Sequence, residues 1–110
     1  MNIQIFGKSK CFDTKKAERY FKERGVKYQS VDILSKGLSK GEFHSVCNAL
    51  GGFEAIIDKS AKDYYMIQYL SSEDQVEKLM EMPKIYKTPI VRNGSKATVG
   101  FCPEIWKTWD

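Results

Sequence analysis

A chain of 110 residues, 42% of them hydrophobic and 29% charged, can fill one core but not two, which predicts a single domain over 1–110 and excludes a disordered or low-complexity protein. The net charge of +4 comes from lysines interleaved with acids, so no basic stripe points to direct nucleic-acid binding and a mild attraction to anions is all that follows. No apolar run reaches membrane-spanning length, and Met1 to Phe6 carries neither a basic leader nor a long apolar stretch, so a cytoplasmic location is expected.

Asn2 to Phe6 alternates polar and apolar residues before Gly7, the pattern of a short strand running into a loop. From Phe12 to Arg24, Ala17, Tyr20 and Phe21 fall at helical spacing among charged residues, and Gly25 marks the stop. Val26 to Val31 alternates again, giving a second strand parallel to the first across that helix. Ser39 and Glu42 form a capping box ahead of an apolar stripe of Phe43, Val46, Cys47 and Leu50, and Gly51-Gly52 ends that helix. Short helical patterns follow around Ala55-Ile56-Ile57 and Tyr65 to Leu70. Ser72 can cap a further helix from Glu73 to Met82, which Pro83 closes. Ile90 to Arg92 and Lys96 to Val99 flank Asn93-Gly94, which reads as a hairpin with a type I′ turn. Pro103 opens a last helix through Trp106 and Trp109. The order is βαβ, a helical insertion over about 38–83, then ββα. It predicts an α/β fold with a four-stranded mixed sheet flanked by helices, the thioredoxin-like plan.

Three cysteines, Cys11, Cys47 and Cys102, are odd in number and far apart, unlike a secreted disulfide framework. The single histidine, His44, and the lack of CxxC or HxxxH spacing argue against zinc. Cys11 stands apart because it heads the first helix, where unpaired N–H groups and the helix dipole favour a thiolate. Lys8, Lys10 and Lys15 should depress its pKa further, against the opposing Asp13. Cys47, on an apolar stripe, reads as core. Cys102 is either a packed residue or a second reachable thiol. Thr14, three residues after Cys11, either caps the first turn or donates to the thiolate; it cannot form a disulfide. Pro89 directly precedes a strand, and the sequence leaves the isomer of the Thr88-Pro89 bond open.

The strand Ile3 to Phe6, the loop to Cys11 with Thr14 after it, Ala55-Ile56-Ile57, Thr88-Pro89-Ile90-Val91 and Val99-Gly100-Phe101 together resemble the ArsC/Spx, or arsenate reductase-like, branch of thioredoxin-fold proteins. The resemblance implies that Cys11 is the catalytic or redox cysteine and that Pro89 is a cis-proline facing it, with Thr88 and Pro89 at the substrate. It implies no bound cofactor, with glutathione as a co-substrate and a glutaredoxin- or thioredoxin-like protein or small thiol as reductant. Arsenate reductases of this family place three arginines around the oxyanion; the corresponding places here hold Asp58, Thr88 and Phe101. Lys59 and Arg92 are the candidates to substitute in part, although Lys59 is a flexible point charge and Arg92, inside the hairpin, is expected to be solvated. Spx regulators carry a CxxC switch and bind the C-terminal domain of the RNA polymerase α subunit; Thr14 removes that switch here. A monothiol oxidoreductase is the first expectation, a polymerase-binding regulator the second and an arsenate reductase the third. For the second, a binding surface would draw on Tyr64 to Tyr69 and on Trp106 and Trp109, although aromatics at such spacing more often pack inside.

Overall fold

The structure, a computed structural model, describes residues 1–109. Strand β1 (Ile3–Gly7) alternates its side chains so strictly that Ile3 and Ile5 point to one face of the sheet and Phe6 to the other. It pairs in parallel with β2 (Tyr28–Asp32) and antiparallel with β3 (Ile90–Asn93), and β3 pairs antiparallel with β4 (Lys96–Val99). The resulting mixed sheet has the order β2-β1-β3-β4. The register carries the alternation across strands. Ile5 sits opposite Val91 and packs with it on one face, while Phe6 sits opposite Ile90 and packs with it on the other.

Helix α1 (Phe12–Glu23) connects β1 to β2 and buries Ala17, Tyr20 and Phe21 against the first face. There they meet Trp106 and Trp109 from the end of the chain. Helix α5 (Pro103–Trp106) is docked by the Trp106 indole N–H, which donates to the Thr98 hydroxyl at 2.8 Å. Both tryptophans are therefore core residues. In the 62–70 segment, by contrast, Tyr65 and Tyr69 are exposed.

The opposite face is covered by α2 (Ile33–Lys36), α3 (Lys40–Leu50), α4 (Ser72–Glu81) and 3-10 turns at Phe53–Ile56, Lys62–Met66 and Pro83–Ile85. Here Ile56, Ile67, Leu79 and Ile85 are fully buried. The capping box of α3 forms as expected: Ser39 Oγ accepts from Glu42 N–H at 3.1 Å, and Glu42 accepts from Ser39 N–H at 2.9 Å. An isolated antiparallel bridge pairs Ile57 with Tyr86 and brings residues 56–58 against 85–87.

Five features differ from expectation, the simplest being the last helix, which ends at Trp106 and does not run on through Trp109. The second strand starts at Tyr28 rather than Val26, because Val26 N–H still bonds back to Phe21 in the helix exit. Helix α2 was not foreseen; Asp32 caps it by accepting from Leu34 N–H at 3.1 Å. The cap of α4 is Ser71, whose hydroxyl accepts from Asp74 N–H, and Ser72 is already helical. The hairpin turn is Gly94-Ser95, since Asn93 pairs with Lys96 inside the ladder. Gly94 has φ 60° and no non-glycine among the described residues has positive φ, so the turn has its glycine first, as in type II′ and not I′. Asn93 is kept in the strand by a further bond, its side-chain oxygen accepting from Asn2 N–H.

Replacing Ser39 by Ala removes one half of the α3 capping box. We expect urea denaturation to show a loss of about 1 kcal/mol. An unchanged midpoint would mean the box adds nothing to the fold.

Candidate functional site

Cys11 is the N-cap of α1, in extended conformation, at the point where the loop from β1 turns into the helix. Its own N–H bonds back to Lys8 O at 3.0 Å, which closes the loop and directs the side chain toward the entry to β3. The thiol is half-buried and lies 3.6 Å from Thr88 O. The bond that follows, Thr88-Pro89, is cis. Pro89 O accepts from Gly100 N–H at 2.8 Å, so the end of β4 closes on the same corner.

Burial opposes ionisation of Cys11, but hydrogen bonds from the Thr14 and Thr88 hydroxyls and from the backbone N–H groups of Thr14 and Asp13 outweigh it and hold the thiol pKa below that of an ordinary cysteine. Thr88 faces the sulfur through its carbonyl, which accepts from the thiol, and its hydroxyl is among the groups that favour the thiolate. Thr14 is buried and serves twice, since its hydroxyl oxygen also accepts from Lys8 N–H at 3.4 Å. The other cysteines move the opposite way. Burial pushes Cys47 up, and burial with the Glu104 carboxylate pushes Cys102 up.

The lysines around Cys11 act differently from the expectation. Lys8 spends its ammonium on two backbone carbonyls, donating to Lys84 O at 3.0 Å and Tyr86 O at 2.8 Å. It fastens the cysteine loop to the segment that leads into Thr88. Lys10 and Lys15 are exposed. What lowers the thiol pKa is hydrogen bonding by the Thr14 and Thr88 side chains and the Thr14 and Asp13 backbone, rather than the lysine charges inferred from sequence.

Gly7 is required by space. A Cβ there would fall on Thr14 Cγ2 and within 2.7 Å of Thr14 Oγ1, so β1 and α1 approach as closely as they do because position 7 has no side chain. Sequence reasoning saw Gly7 merely as the end of a strand.

Asp58 sits beside the Ile57–Tyr86 bridge, its N–H donating to Ile85 O. Bonds from the Ser60 hydroxyl and N–H, with Lys8 and Lys87 nearby, keep its carboxylate ionised below the usual range despite partial burial. Arg92 lies at the far end of β3 and is not solvated in the manner expected. It is half-buried, donating to Gln4 Oε1 at 2.8 Å and Ser45 Oγ at 3.3 Å. Its guanidinium is committed to the sheet and is not at the thiol. Lys59 is exposed. Cys102 caps α5, with its sulfur 3.3 Å from Val99 O, and Cys47 is half-buried against the second-face core. Among the described residues no three His, Cys, Asp or Glu side chains gather as metal ligands, and no helix is long and apolar enough to cross a membrane.

The profile of the ArsC family matches residues 6–109, nearly the whole chain and all the elements that build this corner. The chain belongs to the ArsC family. Among curated relatives, the global transcriptional regulator Spx 2 of Oceanobacillus iheyensis is 28% identical over 106 residues, covering 92% of this chain and 78% of that protein. Among solved structures, an ArsC family related protein from Bacteroides fragilis superposes with a TM-score of 0.85 at 20% identity, covering 100% of this chain and 98% of the other. An arsenate reductase from Vibrio cholerae superposes with a TM-score of 0.83 at 22% identity, covering 96% and 94%. These structural likenesses fix the ArsC fold, thioredoxin-like with its helical insertion.

Three substitutions test the site. Thr14→Val and Thr88→Val each remove a hydroxyl donor while nearly keeping volume, and each should raise the pH midpoint of Cys11 alkylation; a midpoint unmoved in both would remove the hydroxyls as the cause. Gly7→Ala should destabilise the fold by about 1–3 kcal/mol through overpacking against Thr14. A thermal scan showing no loss would contradict the close approach.

Proposed function

We propose that this chain is a monothiol oxidoreductase in which the Cys11 thiolate attacks a disulfide or a thiol adduct. An external thiol, glutathione as co-substrate or a glutaredoxin- or thioredoxin-like protein, resolves the mixed disulfide. The observation that carries the reading is the hydrogen-bonded sulfur of Cys11 at the head of α1, the one cysteine of the three whose pKa is lowered. Thiolate is the attacking species in exchange, so a group ionised earlier than its neighbours reacts first. With Thr14 in place of a second cysteine three residues on, the chain supplies no resolving thiol there and an outside one is needed. Free thiols at all three positions suit a reducing, cytoplasmic setting.

A second reading, a regulator that docks on RNA polymerase, is favoured by the relatives named as global transcriptional regulators. An arsenate reductase is the weakest of the three. A carboxylate, a hydroxyl and a phenyl ring at Asp58, Thr88 and Phe101 offer an oxyanion no bidentate partner, and the ionised Asp58 repels it.

The decisive measurement is disulfide reduction by the intact protein and by two variants. Cys11→Ser should abolish turnover with its circular dichroism unchanged, and a Cys47→Ser, Cys102→Ser double variant should keep it. Equal turnover in Cys11→Ser would end the redox reading. Recovery of RNA polymerase by both the natural protein and Cys11→Ser would turn the case to the regulator.

A further inference from the structure

The end of α1 remote from Cys11 borders a second cleft. Cys11 caps the helix at its start and Arg24 at its finish, so 12 residues of helix, about 18 Å, separate the two. The cleft holds about 230 Å³, and its walls belong to the first-face core: Tyr20, Phe21 and Trp106, with Val26 from the turn after the helix. These walls are firm. The three rings pack on one another with centroids 5.1 to 5.2 Å apart, and the Trp106 indole is anchored by its bond to Thr98.

Two observations give the cleft a chemical preference. The first is charge. Arg24 and Lys107 are exposed and line it, and neither takes part in the two ion pairs found among the described residues, Lys16 with Asp13 and Lys78 with Glu81. No carboxylate among the described residues lines the cleft; Glu23 and Glu104 stand outside it. Arg24 Cζ is 3.8 Å from the centre of the Tyr20 ring, so the guanidinium rests on the aromatic wall and keeps N–H groups for an acceptor. The second is a polar atom in an apolar place. Tyr20 is only 8% exposed, and its hydroxyl has no hydrogen-bond partner. Buried hydroxyls are normally bonded, because leaving water without a new partner is costly, so an orphan of this kind points to a group that can accept from it. A carboxylate supplies that acceptor and a counter-charge for Arg24 in one group.

We propose that this cleft binds a small organic carboxylate with an apolar body the size of a single ring. The body lies against Phe21, Val26 and Trp106, and the carboxylate is held by Arg24, Lys107 and the Tyr20 hydroxyl. Size sets the class. A cavity of about 150 Å³ is enough for benzene, so this one takes a ring with its carboxylate and nothing much larger. The site stands apart from the redox reading, since it uses none of the groups around the thiol.

The test uses the full chain with phenylacetate as probe. Acetate supplies the charge without the ring, and 2-phenylethanol the ring without the charge. Binding is read from the indole N–H resonance of Trp106, which reports from the wall of the cleft. Phenylacetate should shift it saturably, with a dissociation constant on the order of 1 mM, the strength open to so small a ligand. Acetate and 2-phenylethanol should each bind about tenfold more weakly, the loss expected when the apolar contact or the charged bonds are removed. Arg24→Gln and Tyr20→Phe, which keep the length or the ring of the side chain, should each weaken phenylacetate several-fold and leave 2-phenylethanol as it was. No saturable shift, acetate or 2-phenylethanol binding as tightly as phenylacetate, or an affinity that either substitution leaves unchanged would overturn the proposal. Because the readout is at Trp106, that failure is distinguishable from a failure of the Cys11 chemistry, which is read by disulfide turnover.

Discussion

The site depends on a join between two segments far apart in sequence, and the join is made by Lys8. Its ammonium binds the carbonyls of Lys84 and Tyr86, tying the loop that carries Cys11 to the stretch that carries Thr88. A carbonyl on a buried residue such as Tyr86 is costly without a partner, and the ammonium satisfies it together with the carbonyl of the exposed Lys84, each bond being stronger for its charged donor. With the loop fastened, Thr88 comes within reach of the sulfur, and Thr14 can address Lys8 N–H and the thiolate together. The lysine matters to the thiol through position rather than through its field.

The second consequence of that join concerns charge. Beside the Ile57–Tyr86 bridge, bonds from Ser60 and, less strongly, the charges of Lys8 and Lys87 favour the ionised carboxylate of Asp58. Arg92, the guanidinium nearest in sequence to Pro89, is consumed by Gln4 and Ser45 at the other end of its strand. The corner around Cys11 is therefore furnished with hydroxyls, backbone N–H groups and phenyl rings. Such groups suit the handling of sulfur, a soft and weakly hydrated nucleophile, better than the capture of a hard, multiply charged oxyanion.

The sheet, the order of elements and the position of Cys11 were legible because each rests on local signals: alternation in β1, the helical spacing of Ala17, Tyr20 and Phe21, the Ser39–Glu42 box, glycine and proline stops. Local signals failed where two residues competed for one role. Ser71 and Ser72 are equivalent in sequence, and the backbone chose the first as cap. Asn93-Gly94 looks like a turn pair until Asn93 is seen paired with Lys96 in the ladder and bonded to Asn2, 91 residues away. The assignment of the lysines around Cys11 failed for a related reason. Proximity in sequence says that a charge is near but not where a flexible side chain spends its donors, and Lys8 found carbonyls more than 70 residues away. Asp32 with Gly37 was a readable cap and stop for α2 that went unused.

The strand order β2-β1-β3-β4 leaves two outer rows of backbone donors and acceptors. Both are poor templates for another chain. Strand β2 turns Gln29, Ser30 and Asp32 to water, and β4 has four residues and begins with Lys96. The most apolar strands, β1 and β3, lie inside the ladder with neighbours on both sides. Stray strand addition, the usual hazard of a small sheet at cellular concentration, is thus discouraged by polarity at one margin and by brevity at the other.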